Sequence, residues 1–555
     1  MANRVFFIDR NRGNDSNNGL SQSTAWASLS KIAAQTDAGP NDFFLIERES
    51  AYELDLASRL VPPTSWTGVH RQPVTIGNYS YLSGNVGVRP IISCFQRMQA
   101  SDWTYNAPLN GWTATFSGTF VNSLAWLWIG NGWMAHSIDQ TPGTAVASID
   151  GRFHYTSNTT LLLYAPAGTN PSDYYGEILY APQAVGAITL SSGRKSIQVT
   201  GLHFEKAGTG TSMYSGTTAA ADFELNDCTA TKVSSLVYAN GDTVGVLQAS
   251  IHDNEVWNFG PLAIHAYSTG GAGIQSVDIY RNRLRDGGHI QSQGSIYVQV
   301  RNTDRSGVAK IYDNDISGYR WGTRDKGYDG CGIYCETGAD GVQVFGNVVH
   351  DQYCAFQDNS GRRNFWTGNV AYNVHLGFRL SDQKLNNQSD CRLINNTLLV
   401  GFDQPRELGS TQGSEYTGVW MYKSADTLNL TAINNIIANV GGQNGIAAFG
   451  LPDNYASSTY TLTNNWIYGF NNDTLKASDN STPSPAPTVT KAGSTDPRAF
   501  VDTDGRLFDY GVVDGELVYN ELALAGTYVA GVRLANGRMR PGWCPIGAYQ
   551  WRLPL

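Results

Sequence analysis

A short pattern recurs along the chain from about residue 198: an apolar residue, two variable positions, an asparagine, one variable position and a second apolar residue. Consecutive asparagines are 22 to 39 residues apart, as between positions 347 and 369 and between positions 396 and 435. Short apolar, β-branched runs bounded by Gly, Asn and Asp are typical of strands, not of amphipathic helices. The pattern therefore predicts one layer of strands per repeat. Its asparagines are Asn254, Asn282, Asn314, Asn347, Asn369, Asn396, Asn435 and Asn465.

One layer cannot bury its inner face alone, so the core of such an array comes from stacking. An asparagine at the same bend of every layer can hydrogen-bond to the asparagines above and below it. We therefore expect a ladder of buried asparagine side chains along the stack.

These repeats resemble those of right-handed parallel β-helix proteins over nearly the whole length of the chain. The segments 6–19 and 25–32 resemble the first strand, turn and capping helix of such proteins, and the segments 502–509 and 546–550 resemble their closing coil. The resemblance implies an all-β fold, a right-handed single-stranded parallel β-helix (solenoid) with an N-terminal capping helix. Both ends of the stack need covers, because an open edge would pair with other chains.

The period predicts four regions. Residues 1–95 are expected to form the N-terminal cap and first coils, and residues 96–180, which break the period with several tryptophans, an inserted β-rich subdomain. Residues 181–475 are expected to form the central parallel β-helix with the active groove. Residues 476–555 are expected to hold a Ser/Thr/Pro-rich linker, a closing coil and the C-terminal cap.

The charge of the chain argues against several partners. A net charge of −9, with 15% charged residues and no Lys/Arg-rich run, disfavours nucleic acid and anionic membrane surfaces. The 60 Gly, 29 Tyr and 14 Trp suit a surface that binds sugars, although turns in any all-β protein also need glycine. The seven Cys have no paired spacing and no zinc pattern, so we expect reduced, mostly buried thiols, no metal and no cofactor.

The residues after Met1 lack the apolar stretch of a signal peptide, and no later run has the length of a membrane span. The sequence therefore predicts no membrane insertion. Either a signal has been trimmed or the protein leaves its cell without one, as a phage tail protein released by lysis would. We expect an extracellular location, secreted or on a virion tail. Both a homotrimer and a monomer stay open.

Proteins of the resembled class include polysaccharide lyases, glycoside hydrolases and phage tailspikes, so the chemistry must come from residues. Hydrolysis of a glycosidic bond uses two carboxyl groups. Glu336 and Asp358 each precede a ladder asparagine by eleven residues (347 minus 336 and 369 minus 358). Equal counting places them one above the other, roughly 4.8 Å apart. We therefore predict Glu336 and Asp358 as catalytic residues, with Asp382 continuing the column.

The frame Gly332-Ile-Tyr-Cys-Glu-Thr-Gly338 and the spacing to the next carboxylate resemble glycosidases of the β-xylosidase-like family. That family uses an Asp nucleophile and a Glu acid, whereas here Glu precedes Asp, so the roles stay open. Turns also favour carboxylates at strand ends. A one-residue slip would reverse the face, because Gln357 faces outward if Phe356 points inward.

Substrate-binding residues are expected around the same groove. A cation could hold a sugar carboxylate, aromatic rings could stack on sugar faces, and each residue alone could equally be structural. The predicted set is Asp329, Arg379, Tyr334, Trp321, Tyr328 and Trp420.

These residues predict an endo-acting glycoside hydrolase that depolymerises bacterial surface polysaccharide, as tailspikes do. One alternative is a polysaccharide lyase, which removes a proton beside a uronate with Lys, Arg, Tyr or His. Another is a receptor protein that binds glycan without cleaving it.

Overall fold

The structure of the chain is a computed structural model. It describes residues 3–81, 87–115, 125–129, 132–133, 135–136, 152–157, 160–182, 185–190, 194–214, 221–241, 247–268, 274–288, 294–300, 308–318, 330–336, 338–359, 361–382, 389–401, 417–424, 428–441, 445–451, 459–476, 483–484 and 486–494. The chain divides into two compact units. The first comprises Met1–Ile274, Asp286–Gln293 and Gly322–Tyr328, and the second comprises Gln275–Arg285, Gly294–Trp321 and Asp329–Leu555.

The first unit is built mainly of strands. They are β1 Val5–Ile8, β2 Phe43–Glu47, β3 Ala51–Leu54, β4 Val74–Tyr79, β5 Ile91–Cys94, β6 Gln96–Met98, β7 Thr104–Asn106, β8 Gly111–Thr115, β9 Ala125–Ile129, β10 Gly132–Trp133, β11 Ala135–His136, β12 Arg152–Ser157, β13 Thr160–Leu163, β14 Ile178–Pro182, β15 Gly186–Leu190, β16 Ile197–Thr200, β17 His203–Tyr214, β18 Ala221–Asn226, β19 Thr229–Asn240, β20 Leu247–His252, β21 Glu255–Trp257 and β22 Ile264–Ser268. The α-helices are α1 Ser30–Ala33 and α2 Pro171–Tyr175, and the 3-10 turns are Gln22–Thr24, Ala100–Asp102 and Ala107–Leu109.

The second unit contains the remaining strands of the described residues, apart from Ile274 of β23, which belongs to the first unit. They are β23 Ile274–Tyr280, β24 Arg283–Arg285, β25 Gly294–Val300, β26 Val308–Tyr312, β27 Asp315–Ser317, β28 Cys331–Cys335, β29 Gln343–Phe345, β30 Val348–Asn359, β31 Asn364–Thr367, β32 Val370–Asp382, β33 Ser389–Ile394, β34 Thr397–Val400, β35 Thr417–Ser424, β36 Leu428–Ile433, β37 Ile436–Asn439, β38 Gly445–Leu451, β39 Thr459–Tyr468, β40 Phe470–Lys476 and β41 Val489–Gly493.

In the first unit, parallel strands stack in the order β1, β2, β4, β16 and β18. Two smaller, mostly antiparallel sheets lie apart from this stack, one of β6, β14, β9 and β10 and one of β7, β8, β13, β12 and β11. Trp103, Leu161, Leu163 and Ile178 are buried in their apolar cluster. Residues 96–182 therefore contain antiparallel structure with a core of its own.

The second unit has three series of parallel strands. One runs through β26, β29, β31, β33 and β36, another through β27, β30, β32, β34 and β37, and a third through β25, β28, β30, β32 and β35. The long strands β30 and β32 belong to two series, because their two halves pair with different strands. Each series buries a column of apolar side chains, such as Ile333, Phe356 and Phe378.

The expected asparagine ladder is confirmed. The backbone and side-chain amides of Asn314 donate to Oδ1 of Asn347 at 3.1 and 2.8 Å, and those of Asn347 donate to Asn369 at 3.1 and 2.9 Å. The residue before each asparagine has a positive φ, for example 54° at Asp313 and 58° at Asn395. Asn, Asp and Gly adopt that conformation most readily, and they dominate this position of the repeat.

The predicted fold class requires a correction. The structure supports an all-β fold in which a closed parallel β-structure carries additional strands, and not the right-handed β-helix solenoid that the repeats implied. The expected capping helix is α1, which is only four residues long. The period specifies which strands pair, but it does not encode how the strands close around the core, so the class could not be read from repeat spacing.

Two further expectations concern thiols and membranes. Cys94, Cys228, Cys331, Cys335, Cys354 and Cys391 are free and buried, while Cys544 lies outside the described residues. None of the helices in the described part of the chain has the length and apolar character that crossing a membrane requires.

Candidate functional site

The register of the strands around Glu336 differs by one residue from the register that equal counting predicts. Cys335, not Glu336, pairs with Asp358, whereas Gln343 pairs with Phe365 further along. The first interval spans eight residues (343 minus 335) and the second seven (365 minus 358). The extra residue after β28 shifts the register by one, and in a strand a shift of one residue reverses the face.

Asp358 lies two residues after the inward Phe356 on β30 and points into the core. Its side chain is fully buried and accepts hydrogen bonds from the Gly361 backbone amide at 3.0 Å, from Asn364 at 3.0 Å and from the indole of Trp366 at 3.1 Å. Burial raises its pKa to about 6, and these hydrogen bonds offset only part of that effect. The predicted column of Glu336 over Asp358 is therefore not formed, because Asp358 faces the interior.

Glu336 follows directly after β28 and is half-buried. The phenol of Tyr334 donates to Oε2 of Glu336. The side-chain amide of Asn359 donates to Oε1 of Glu336 at 2.9 Å and to the phenol oxygen of Tyr334 at 2.9 Å. The three side chains form a closed network in which both carboxylate oxygens accept a hydrogen bond. We call Tyr334, Glu336 and Asn359 the Glu336 network.

One column of larger side chains lies beside this network. Register pairs connect Tyr297 with Tyr334, Tyr334 with Gln357, Gln357 with Arg379, and Arg379 with Trp420. The rings of Tyr297 and Tyr334 meet edge to face at 5.1 Å, and the guanidinium of Arg379 lies 5.2 Å from the ring centroid of Trp420. All five side chains are buried. The column therefore places a cation, an amide, a phenol and an indole in successive layers.

The structure thus brings together four of the predicted residues, Tyr334, Glu336, Arg379 and Trp420, on neighbouring strands of one series. It separates Asp358 from them. Asp382 is the last residue of β32 and follows Ser381, the register partner of Asn359. The side chain of Asp382 lies outside the described part of the chain. The other predicted binding residues, Trp321, Tyr328 and Asp329, lie outside the described residues.

Asn359 was absent from the predicted set, and Gln357 was considered only as an alternative to Asp358. The signal that identifies both is the alternation of β30. Phe356 is 1% exposed and lies between Ile333 and Phe378 in an inward column. Because successive side chains point to opposite faces, Gln357 and Asn359 must then lie on the face of Tyr334.

The chemistry that this face offers is acid–base chemistry and hydrogen bonding. Among the described residues, no group of three or more His, Cys, Asp or Glu is arranged to hold a metal ion. An anionic carboxylate with fixed orientation can act as a base or a nucleophile. A guanidinium and an amide can bind hydroxyl or carboxylate groups of a ligand.

No protein-family model and no curated protein matches the chain. Twelve chains among the solved structures do. The complex structure of XylC with xylose is 12% identical, with a TM-score of 0.53 over 98% of both chains. The GH136 lacto-N-biosidase from Eubacterium ramulus is 13% identical, with a TM-score of 0.42 over 77% of this chain and 64% of that one. An alginate lyase from Paenibacillus sp. is 12% identical, with a TM-score of 0.35 over 78% and 95%. The likeness to XylC is one of fold.

Proposed function

We propose that this protein is an enzyme that hydrolyses a glycan, with Glu336 as a catalytic carboxylate. The observation that carries the proposal is the half-buried Glu336 carboxylate, oriented by Tyr334 and Asn359 beside a column of sugar-binding side-chain types. The fold shared with XylC, whose structure is described in complex with xylose, supports a carbohydrate as the class of ligand.

Hydrolysis breaks the bond between the anomeric carbon and the bridging oxygen. One group protonates the departing oxygen, and the second carboxylate either attacks the anomeric carbon or takes a proton from the attacking water. Glu336 is proposed for the second role. Asp382, which ends β32, is proposed as the acid.

The column beside the network is proposed to bind the glycan. Trp420 and Tyr334 offer rings, and Arg379 and Gln357 offer donors in adjacent layers of β32 and β30. Stacked layers repeat at roughly 4.8 Å, close to the length of a sugar unit, so an extended chain can be bound along them. We propose that the enzyme is endo-acting and holds several sugars at once.

A second candidate, a polysaccharide lyase, is favoured by one specific observation. Gln357 and Arg379 are direct register partners, next to Tyr334, which also pairs with Gln357. A guanidinium and an amide could bind a uronate carboxylate while the phenol oxygen of Tyr334 takes the neighbouring proton and passes its own proton to Glu336. The two reactions differ in their products, since only the lyase leaves an unsaturated uronate.

The substrate and the setting are proposed from the sequence alone. We propose a bacterial surface polysaccharide as the substrate and an extracellular location, secreted or on a phage tail. Incubating the protein with encapsulated bacteria and staining for loss of the capsule tests both ideas. Capsules that stay intact in every strain of a broad panel would contradict them.

The deciding experiment is mass spectrometry of the products that the protein releases from a panel of capsular and O-antigen polysaccharides. Saturated oligosaccharides that carry one added water support hydrolysis. Unsaturated products would show that the reaction is that of a lyase and not hydrolysis. If the protein binds a panel glycan but releases no product from it, its function is glycan binding without cleavage.

The residue assignment is tested with Glu336→Gln on the glycan that is cleaved. The matched control is Glu255→Gln, which changes an exposed glutamate on β21 in the same way. Loss of product with the first variant and full activity with the second supports Glu336. Equal activity of both variants would remove Glu336 from the mechanism.

A further inference from the structure

The Glu336 network has a defined direction of hydrogen bonding. The amide of Asn359 has two N–H donors and directs one to Glu336 and the other to the phenol oxygen of Tyr334. The Tyr334 hydroxyl, having accepted from Asn359, donates its only proton to Glu336. Both carboxylate oxygens are thus acceptors, one from the phenol of Tyr334 and one from the amide of Asn359.

We infer that Asn359 is a positioning residue that, together with Tyr334, fixes the orientation of the Glu336 carboxylate and engages both of its oxygens as acceptors, so that Glu336 acts as base or nucleophile and not as the acid. This inference rests on the proposed function. In the reaction, the carboxylate takes a proton from water as the water oxygen bonds to the anomeric carbon, or bonds to that carbon itself. The departing oxygen receives its proton from a different group.

The identity of residue 359 is specific to this role. Asn359 is 5% exposed, and its side chain meets Glu336 because the extra residue after β28 aligns Glu336 with Asn359 and not with Asp358. An aspartate at this position would remove both donors and place a second anion against Oε1 of Glu336. An amide is therefore the side-chain group of this size that can donate hydrogen bonds to both Glu336 and Tyr334.

The first test needs no substrate. Carbodiimide reacts with carboxyl oxygens and couples them to an amine, so the rate at which glycinamide is attached to Glu336 at pH 6, read by peptide mass spectrometry, reports how firmly the two donors hold the carboxylate oxygens. We expect Asn359→Ala to raise this rate roughly tenfold, the factor that corresponds to one charge-assisted hydrogen bond. We expect Asn359→Asp to raise it further and Tyr334→Phe to raise it by a similar factor. Asn472→Ala, which changes an exposed amide on β40, is the control and should label at the wild-type rate.

The second test uses the glycan that the wild type cleaves. For Asn359→Ala we expect kcat to fall by about 10- to 100-fold while KM changes by less than about threefold, because a positioning residue acts on the reacting group and not on substrate affinity. The nearly isosteric Asn359→Asp should reduce kcat more than Asn359→Ala does. A residue that served only the packing would show the opposite order.

The outcomes separate the inference from the proposed function. Labelling rates within twofold of wild type for all three variants overturn the inference, and so does a kcat within threefold of wild type for Asn359→Asp. Full activity of Glu336→Gln overturns the proposed function itself, whatever the labelling shows. Faster labelling together with a selective loss of kcat supports both.

Discussion

The asparagine ladder and the outward face of β28, β30 and β32 both bury polar side chains, but they do so in opposite ways. In the ladder, each of Asn314, Asn347 and Asn369 makes the same contacts to the next layer. On the outward face, the residue changes with each layer, from Tyr334 to Gln357 to Arg379. The repeated asparagine satisfies the hydrogen-bonding groups of the backbone at the bend of every layer. The outward face has a different residue in each layer, so its combination of side chains occurs at a single place along the stack. The comparison indicates that function is to be sought where the repeat is broken.

The largest expected effect on stability comes from breaking the ladder. Asn369 accepts two hydrogen bonds from Asn347 and donates to the backbone of Val344 and to Asn396, and it is fully buried. Asn369→Ala leaves all these partners unsatisfied, so we expect the free energy of unfolding to fall by about 4 kcal/mol. Urea unfolding measures the change. Asn472→Ala should stay within about 0.5 kcal/mol of wild type, and an equally small change for Asn369→Ala would contradict the structural role of the ladder.

Asp358 is a third kind of buried polar group, because it belongs neither to the ladder nor to the outward face. Its pKa in the folded protein is raised by burial to about 6, above the unfolded value of 3.8, so the folded state binds the proton more tightly. The stability of the wild type should therefore decline as pH rises from about 4 to 6 and level off above that range, by roughly 3 kcal/mol in total.

Asp358→Asn lacks the titrating group and is the variant that isolates this effect. The difference in unfolding free energy between wild type and variant, measured by urea unfolding from pH 4 to pH 8, should shift in favour of the variant as pH rises. A difference that does not depend on pH would show that Asp358 is not held in the interior.

The smallest expected effect concerns the half-buried His350 and its two aspartate partners. His350 meets Asp351 at 2.6 Å and Asp315 at 3.2 Å, and its ring stacks on Tyr372 at 4.6 Å. Burial lowers the pKa of His350, but the hydrogen bonds to Asp315 and Asp351 outweigh burial and raise it above 6.5 overall. The stabilisation is therefore fully present below pH 6.5 and is lost as pH rises through the folded pKa.

We expect His350→Gln to lower the unfolding free energy by roughly 1 kcal/mol at pH 6 and by less at pH 9. His252 is held in a similar way by Glu224 and Asp253 in the first unit, so His252→Gln provides a second instance of the same arrangement. Equal losses at both pH values for His350→Gln would rule out the charged histidine as the source of the stability.

The sequence predicted the parts of the molecule that depend on the period. The strands and the ladder follow from the recurring asparagine, since each repeat contributes the same bend. The closure of the parallel strands was not predictable, because equal periods suit more than one way of wrapping strands around a core. The order in which strands pair follows from the spacing of neighbouring repeats. The way in which the strands close around the core depends on the whole set of strands.

The candidate site was predicted only in part, for a reason that one residue illustrates. Counting back from Asn347 and Asn369 gives Glu336 and Asp358 the same offset, but the single extra residue after β28 aligns Glu336 with the outward Asn359 and not with the inward Asp358. Such an insertion is not visible in spacing alone. The inward position of Phe356, which apolar alternation does indicate, was the information that would have corrected the register.

The most direct test of the central claim is the rate at which Glu336→Gln cleaves the glycan that the wild type degrades, measured beside Glu255→Gln at equal protein concentration. We expect Glu336→Gln to lose at least about a thousandfold in kcat, because a catalytic carboxylate contributes on that order, while its thermal unfolding midpoint and the activity of Glu255→Gln stay at the wild-type values. A Glu336→Gln enzyme that cleaves the glycan within threefold of the wild-type rate would contradict the claim that the outward face of β28 and β30 is where the chemistry occurs.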